Sequence, residues 1–344
     1  MENTNTLVDK SRLVDEKTVK ARLVTIFTKW EVLLLLIFIT MCIVFSILSP
    51  YFLDYFNLMN ANFTFMEKAI IALPMIFVIM SGDIDISIAS IIALCSFAMG
   101  AASASGASTP VIVLIGLLVG IAAGAFNGFF ITAIGMPAIA VTLATQSVFR
   151  GIAKAVLEDQ AYTTYPESFG FFGQGYVGDT LIPFELVLFL ALAVVMWYIL
   201  HQSSYGRKVY AIGNSTSAAR FSGVPVKRIR FTNFVLNGLF CGIAAVLLTS
   251  RIGSTRPNIA EGWDMEIITL VVLGGVSING GKGNIFGVII SIFLLGYLKF
   301  GMGLLNISGK VMIITTGTLL VVAVLLPMIL DQIKAGKKIT RKAA

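Results

Sequence analysis

Apolar runs about as long as a membrane is thick recur along the chain, separated by short polar stretches. A helix crossing the hydrocarbon core needs about 20 mostly apolar residues. On that scale ten segments stand out: 31–49, 62–80, 86–104, 109–133, 138–157, 182–200, 231–250, 264–279, 284–304 and 310–330. Two are weak. Segment 62–80 carries Glu67 and Lys68 near its start and Pro74 within it, and 264–279 is short and ends in a glycine-rich break. Both read as partial or re-entrant candidates, which are tolerated only where protein surrounds them. The pattern predicts an all-α, polytopic membrane protein of about ten transmembrane or re-entrant helices.

Composition agrees. Of 344 residues, 57% are hydrophobic and 12% charged, against about 25% charged in soluble domains. No polar block is long enough for a separate soluble domain. The expected organisation is a tail at 1–30, a membrane domain at 31–330 and a basic tail at 331–344. The charged stretch before the first apolar run, and "SILSPYF" after it, predict a retained helix rather than a cleaved signal. Six of the 25 Lys and Arg lie in 1–30, six in 201–230 and five in 331–344. An even span count puts all three segments on one side, and the positive-inside rule makes that side the cytoplasm. Both termini are therefore expected there. Basic residues beside spans account for the net charge of +7, and no soluble basic face suggests nucleic acid. Cys42, Cys95 and Cys241 all fall in apolar runs and suggest neither disulfides nor metal. The single histidine, His201, reads as a solvated helix end.

Four glycines, Gly116, Gly120, Gly124 and Gly128, recur every fourth residue in "VIVLIGLLVGIAAGAFNGFFI". That spacing lets another helix approach closely. Asn127 lies beside this face, either bonded to a neighbouring helix or lining a polar path. With Thr142, Thr145 and Gln146 it makes up the candidate substrate path. The long segment 203–230 contains "STSAARFSG", a short helix that Asn214 or Ser215 could cap and a natural docking element. The glycine-rich "LGGVSINGGKGNIFG" fails as a phosphate loop. Gly275 and Gly280 have the right gap, but Gly281 stands where Lys is required and Lys282 is followed by Gly283. Gly274, Gly275, Gly280, Gly281 and Gly283 therefore read as tight turning between helices. The segment 158–180 is rich in Tyr and Phe, the composition of an interfacial belt. Arg251 and Arg256, after the seventh span, are candidates for ion pairs with an outside partner. No catalytic constellation or cofactor motif is visible, so no enzymatic activity and no cofactor are expected.

These motifs, in order, resemble the inner-membrane permeases of ribose-type sugar ABC importers. "SGDIDISIASIIAL" is similar to the family's G-G-I-D-L-S-V-G-S pattern, with Asp83 at the second glycine. "GAFNGFFITAIGMPAIAVTLAT", "GRKVYAIGNSTSAARFSGV" and "MEIITLVVLGGVSINGGKGNIFG" resemble three further family segments, so that the likeness runs from Trp30 to Pro327. "PYFLDYFNLMNANFTFMEKAIIALPM" and "YPESFGFFGQGYV" look most like the rhamnose importers, with the autoinducer-2 importers the nearest rival. The resemblance implies cytoplasmic ABC ATPase subunits docking on the 201–230 coupling loop through Gly206, Gly213, Asn214, Ala218, Ala219, Ser222 and Gly223. It also implies an extracytoplasmic sugar-binding protein and a second permease, identical or paralogous. From another class, an ion-coupled secondary transporter is the alternative, disfavoured by the lack of a visible repeat.

One stretch stays puzzling. "MSGDIDISIAS" places Asp83 and Asp85 between two apolar runs, although a charge at the bilayer centre costs at least roughly 2.5–3.5 kcal/mol. The expectation is a solvated turn capping the third span, with Asp85 or Ser87 at the helix start. Asp85, matching the family's aspartate, is expected to be a structural anchor rather than a proton carrier.

Overall fold

The computed structural model describes residues 30–158, 160–319, 321, 322 and 325. The tail before residue 30, the basic tail at 331–344 and most of the 310–330 segment lie outside the described residues. Within them the chain is helical, with two isolated bridges, Tyr162 with Thr255 and Tyr176 with Pro183. The helices are α1 (Trp30–Leu48), α2 (Tyr55–Ala61), α3 (Met66–Met80), α4 (Ile88–Ala104), α5 (Thr109–Phe129), α6 (Ala138–Leu157), α7 (Phe171–Gln174), α8 (Phe184–His201), α9 (Ser204–Asn214), α10 (Thr216–Phe221), α11 (Val226–Ile252), α12 (Trp263–Leu273) and α13 (Ile285–Leu304). A further helix, α14, is described from 309 to 319.

Among the described residues, five helices are long and apolar enough to cross a membrane: Trp30–Leu48, Thr109–Ile134, Phe184–His201, Val226–Ile252 and Ile285–Leu304. The bent pair Tyr55–Thr64 and Met66–Met80 makes up to six. The described segments that fall short do so for physical reasons, and 310–330 lies mostly outside the described residues. Segment 62–80 is broken by a 55° bend, which falls at Phe65 rather than at Pro74. Segment 264–279 holds only the 11 residues of α12. Segment 86–104 is helical only from Ile88, which leaves a helix of 17 residues. α6 is long enough, but polar residues along it lower its hydropathy.

At the centre stands α3, whose 15 residues are all buried. A helix apolar on every side belongs inside a bundle rather than against lipid. Two other helices partner its charged first turn, and a third joins through Glu266. Arg251 Nε of α11 lies 2.6 Å from Glu67 Oε1. Glu266 Oε1 of α12 receives Lys68 at 3.0 Å and Lys299 of α13 at 2.7 Å. Lys68 also sits 4.8 Å above the Trp263 ring. Thus Glu67 and Lys68, which made the segment look unfit for a membrane, are its attachment points.

The glycine face of α5 packs along α11. A Cβ on Gly120 would strike the Gly238 carbonyl, and one on Gly124 the Phe234 carbonyl. Gly238 and Gly242 answer from the other side, so the two backbones touch directly, as small residues permit in a membrane. The aromatic segment 158–180 is partly turned inward: Phe169 is buried, while Phe171 stays 48% exposed. Tyr165 stacks on Phe169 with centroids 5.0 Å apart, and its hydroxyl lies 2.7 Å from Thr255 Oγ1. Burial pushes that hydroxyl up to about 12.

Candidate functional site

Between α3 and α4 the chain runs without regular structure from 81 to 87, and Asp83, Asp85 and Ser87 are all buried. The expected solvated turn is not there. Irregular backbone at this depth survives only if protein supplies the missing hydrogen bonds, and here three helices do so. From α11, Arg230 binds Asp83 through two nitrogens, Nε at 2.6 Å and Nη2 on the second oxygen. Asn233 Nδ2 donates to Ser81 Oγ at 2.7 Å and to the Phe77 carbonyl at 3.2 Å. Asn237 Nδ2 donates to Asp85 Oδ2 at 2.8 Å. From α5, Asn127 Nδ2 donates to Ser87 Oγ at 2.8 Å, and from α6 Thr142 Oγ1 reaches the Ile84 carbonyl at 3.3 Å.

Asp85 Oδ1 accepts from the Ser87 amide at 2.9 Å and the Ser87 hydroxyl at 2.6 Å. The carboxylate therefore holds the start of α4, whereas the Ser87 side chain makes no capping bond. Three donors on a wholly enclosed carboxyl are what such a group needs, because a buried polar atom left unmet costs the full loss of its hydration. The chain of bonds Asn127–Ser87–Asp85–Asn237 ties α5 to α11 through the loop.

The end of α3, just before this loop, is touched by the segment that carries α9 and α10. Ser203 Oγ accepts from the Tyr205 and Gly206 amides and starts α9, and Ser215 Oγ accepts from the Ala218 amide at 3.2 Å and starts α10. Where one short helix was expected there are two, and the first faces inward. A Cβ on Gly213 would run into the Met80 carbonyl and the Gly281 amide; that carbonyl already accepts from the Gly281 amide at 3.0 Å. Gly206 packs on the Leu200 carbonyl. Tyr205 donates to Asn233 Oδ1 at 2.6 Å, and Tyr210 donates to the Gly283 carbonyl at 2.8 Å. Burial raises both tyrosine hydroxyls above their ordinary range. Asn214, Ala218, Ser222 and Gly223 are exposed and Ala219 is buried. Beside them Phe221, not anticipated, is 92% exposed.

Gly275, Gly280 and Gly281 all have positive φ, so the glycine-rich break does turn the chain; Gly274 closes on Val288 and Gly283 on Val276. Thr145 is buried and bonds within α6, and Gln146 Nε2 lies 3.3 Å from Asp264 Oδ2. Arg251, expected to face a partner, is held by Glu67, because a carboxylate with no exposure demands a cation. Arg256 lines an open cleft with Lys154 and Glu158.

Arg230, Asn233 and Asn237 were overlooked although a signal existed. Polar residues at helical spacing inside an apolar run face protein rather than lipid.

A polytopic helical bundle built around a polar, discontinuous segment, with a helical element gripping that segment from one end, is a transporter's construction. Residues 57–330 match the family model described as branched-chain amino acid transport system / permease component. The chain belongs to this permease family. Its family is one of transport subunits and not of enzymes. Over 286 residues the permease is 36% identical to the ribose import permease protein RbsC of Bacillus subtilis, covering 83% of this chain and 88% of that relative. Over 300 residues it is 36% identical to the autoinducer 2 import system permease protein LsrD of Escherichia coli K12, covering 86% and 91%. No solved structure matches.

Proposed function

We propose that this permease is the membrane subunit of an ATP-driven importer of a monosaccharide or a similarly polyhydroxylated small molecule. It would act with cytoplasmic ABC ATPases, an extracytoplasmic binding protein and a second permease, in a bacterial inner membrane. The observation that carries the proposal is the direct contact of α9 with the end of α3, at Gly213, Met80 and Gly281. A push on α9 and α10 would reach the 81–87 loop without an intervening flexible joint. Phe221, standing out from α10 among Arg220, Lys227 and Arg228, offers an apolar knob in a basic setting to the ATPase. The relatives' names support import of ribose-like molecules or autoinducer 2; rhamnose rests on the two stretches quoted above. The sugar would bind only weakly in the permease, since a tight site would hold it back.

The experiment is uptake of labelled ribose, rhamnose and autoinducer 2 into vesicles holding the complete transporter. Uptake is expected to stop without the ATPase, and Phe221→Asp is expected to insert and fold but no longer couple ATP hydrolysis to uptake. Uptake that persists without the ATPase, and collapses with an ionophore, would favour the ion-coupled class and overturn the proposal.

A further inference from the structure

Five polar residues in and just past α6 recur every fourth position: Thr142, Gln146, Arg150, Lys154 and Glu158. Successive members of such a series are neighbours on a helix, so together they trace a stripe that winds slowly round it. Thr142 touches the 81–87 loop at one end of this stripe. At the other, Lys154 and Glu158 border a cleft of about 750 Å³ together with Arg256 and Asn258. Between them lies a second cleft of about 330 Å³, lined by Gln146, Ser147, Arg150, Lys154, Glu261 and Asp264 among others. The two clefts share Lys154, so they follow one another down the stripe toward the loop.

The chemistry of this groove is specific. Its ionisable side chains are Arg150, Lys154 and Arg256 against Glu158, Glu261 and Asp264. The signs balance, which suits a neutral polar solute better than an ion. Arg150 is occupied in holding the wall. It donates to the carbonyls of Pro257 at 3.0 Å, Ile259 at 2.6 Å and Ala89 at 3.0 Å, joining the 257–261 stretch to α4 and α6. Gln146 and Asp264 meet across the narrow cleft at 3.3 Å, beyond the usual N–H···O range. Two such groups, an amide and a carboxylate joined by one long bond, are readily parted by a hydroxyl that donates to the carboxylate and accepts from the amide.

We infer that Gln146 and Asp264 form a transient hydroxyl-recognition site for a neutral polyol moving along the α6 groove, with Arg150 as the positioning residue of its wall. The inference rests on the import reading and adds to it where the substrate is sensed. Asp264 was not among the sequence candidates, and it brings α12 to the path.

The test uses the complete transporter in vesicles, with the transported sugar and its single-deoxy analogues. Asp264→Asn and Gln146→Leu are each expected to lower uptake of the parent sugar about tenfold, the scale of a lost hydrogen bond to a charged group. For one deoxy analogue the ratio of variant to wild-type uptake is expected to return to near one, because the hydroxyl that used the site is gone. The binding protein is the same in both, so its own selectivity cancels in that ratio. Co-purification with the ATPase serves as the control for folding, and the half-exposed Gln146 keeps the test open if Asp264→Asn disturbs the start of α12. Wild-type uptake by both variants, or an equal loss for every analogue, overturns the site. A wild-type transporter that moves no sugar at all refutes the import reading instead.

Discussion

Arg230 and Asp83 form the bond on which the 81–87 loop is most exposed to challenge. Their side chains are unequally enclosed, with 26% of the arginine but only 5% of the aspartate accessible. Removing one partner of a buried pair costs about 3–5 kcal/mol, mostly from stranding the other charge. The two single variants should therefore differ. Arg230→Met strands a carboxylate that cannot reach water, and its cost is expected near the full 3–5 kcal/mol. Asp83→Ala strands a guanidinium on a long stem at a helix start, able to swing toward solvent, so about 1.5–3 kcal/mol is expected, the range of a charged hydrogen bond. Combining Arg230→Met with Asp83→Ala removes both charges and is expected to recover much of the loss. The assay is denaturant unfolding of the purified protein in detergent, followed with a thiol-reactive dye. Cys95 and Cys241 are fully buried, so they label only when the bundle opens. Equal losses in the two single variants, or a double variant whose loss is their sum, would refute the account of a stranded buried charge.

The same unfolding assay checks two further expectations. Asn237→Leu takes one of three donors from the enclosed Asp85 and should cost about 1.5–3 kcal/mol, whereas Asn127→Leu deprives only the Ser87 hydroxyl and should cost about 1 kcal/mol; the reverse order would show that the network is not centred on Asp85. Gly124→Leu forces a side chain between two touching backbones and should prevent stable folding, while Gly151→Leu, with nothing within 4 Å of its Cβ position, should stay within about 0.5 kcal/mol of wild type.

The chain's solvent was legible in one dimension, because the length of an apolar run is a local property that the bilayer thickness reads directly. So were the glycine face of α5 and the helical segment between the sixth and seventh apolar runs, since each depends on spacing along one helix. The ordered motifs carried the family in the same way. What a run does once it meets its neighbours is a different matter. Glu67, Lys68, Asp83 and Asp85 looked misplaced in the sequence because their partners, Arg251, Glu266, Arg230 and Asn237, lie more than 140 residues away. Whether a carboxylate faces water or a guanidinium is settled by which helices pack, and an apolar run of given length is equally compatible with a straight span, a bent pair or a short helix followed by a turn. Hydropathy alone therefore suggested ten spans and a solvated turn. Only tertiary structure could enclose that turn, turn Gly213 onto Met80, and bring Asp264 of α12 opposite Gln146 of α6, because those meetings are fixed by the close packing of α3, α5 and α11 and not by any single stretch of the chain.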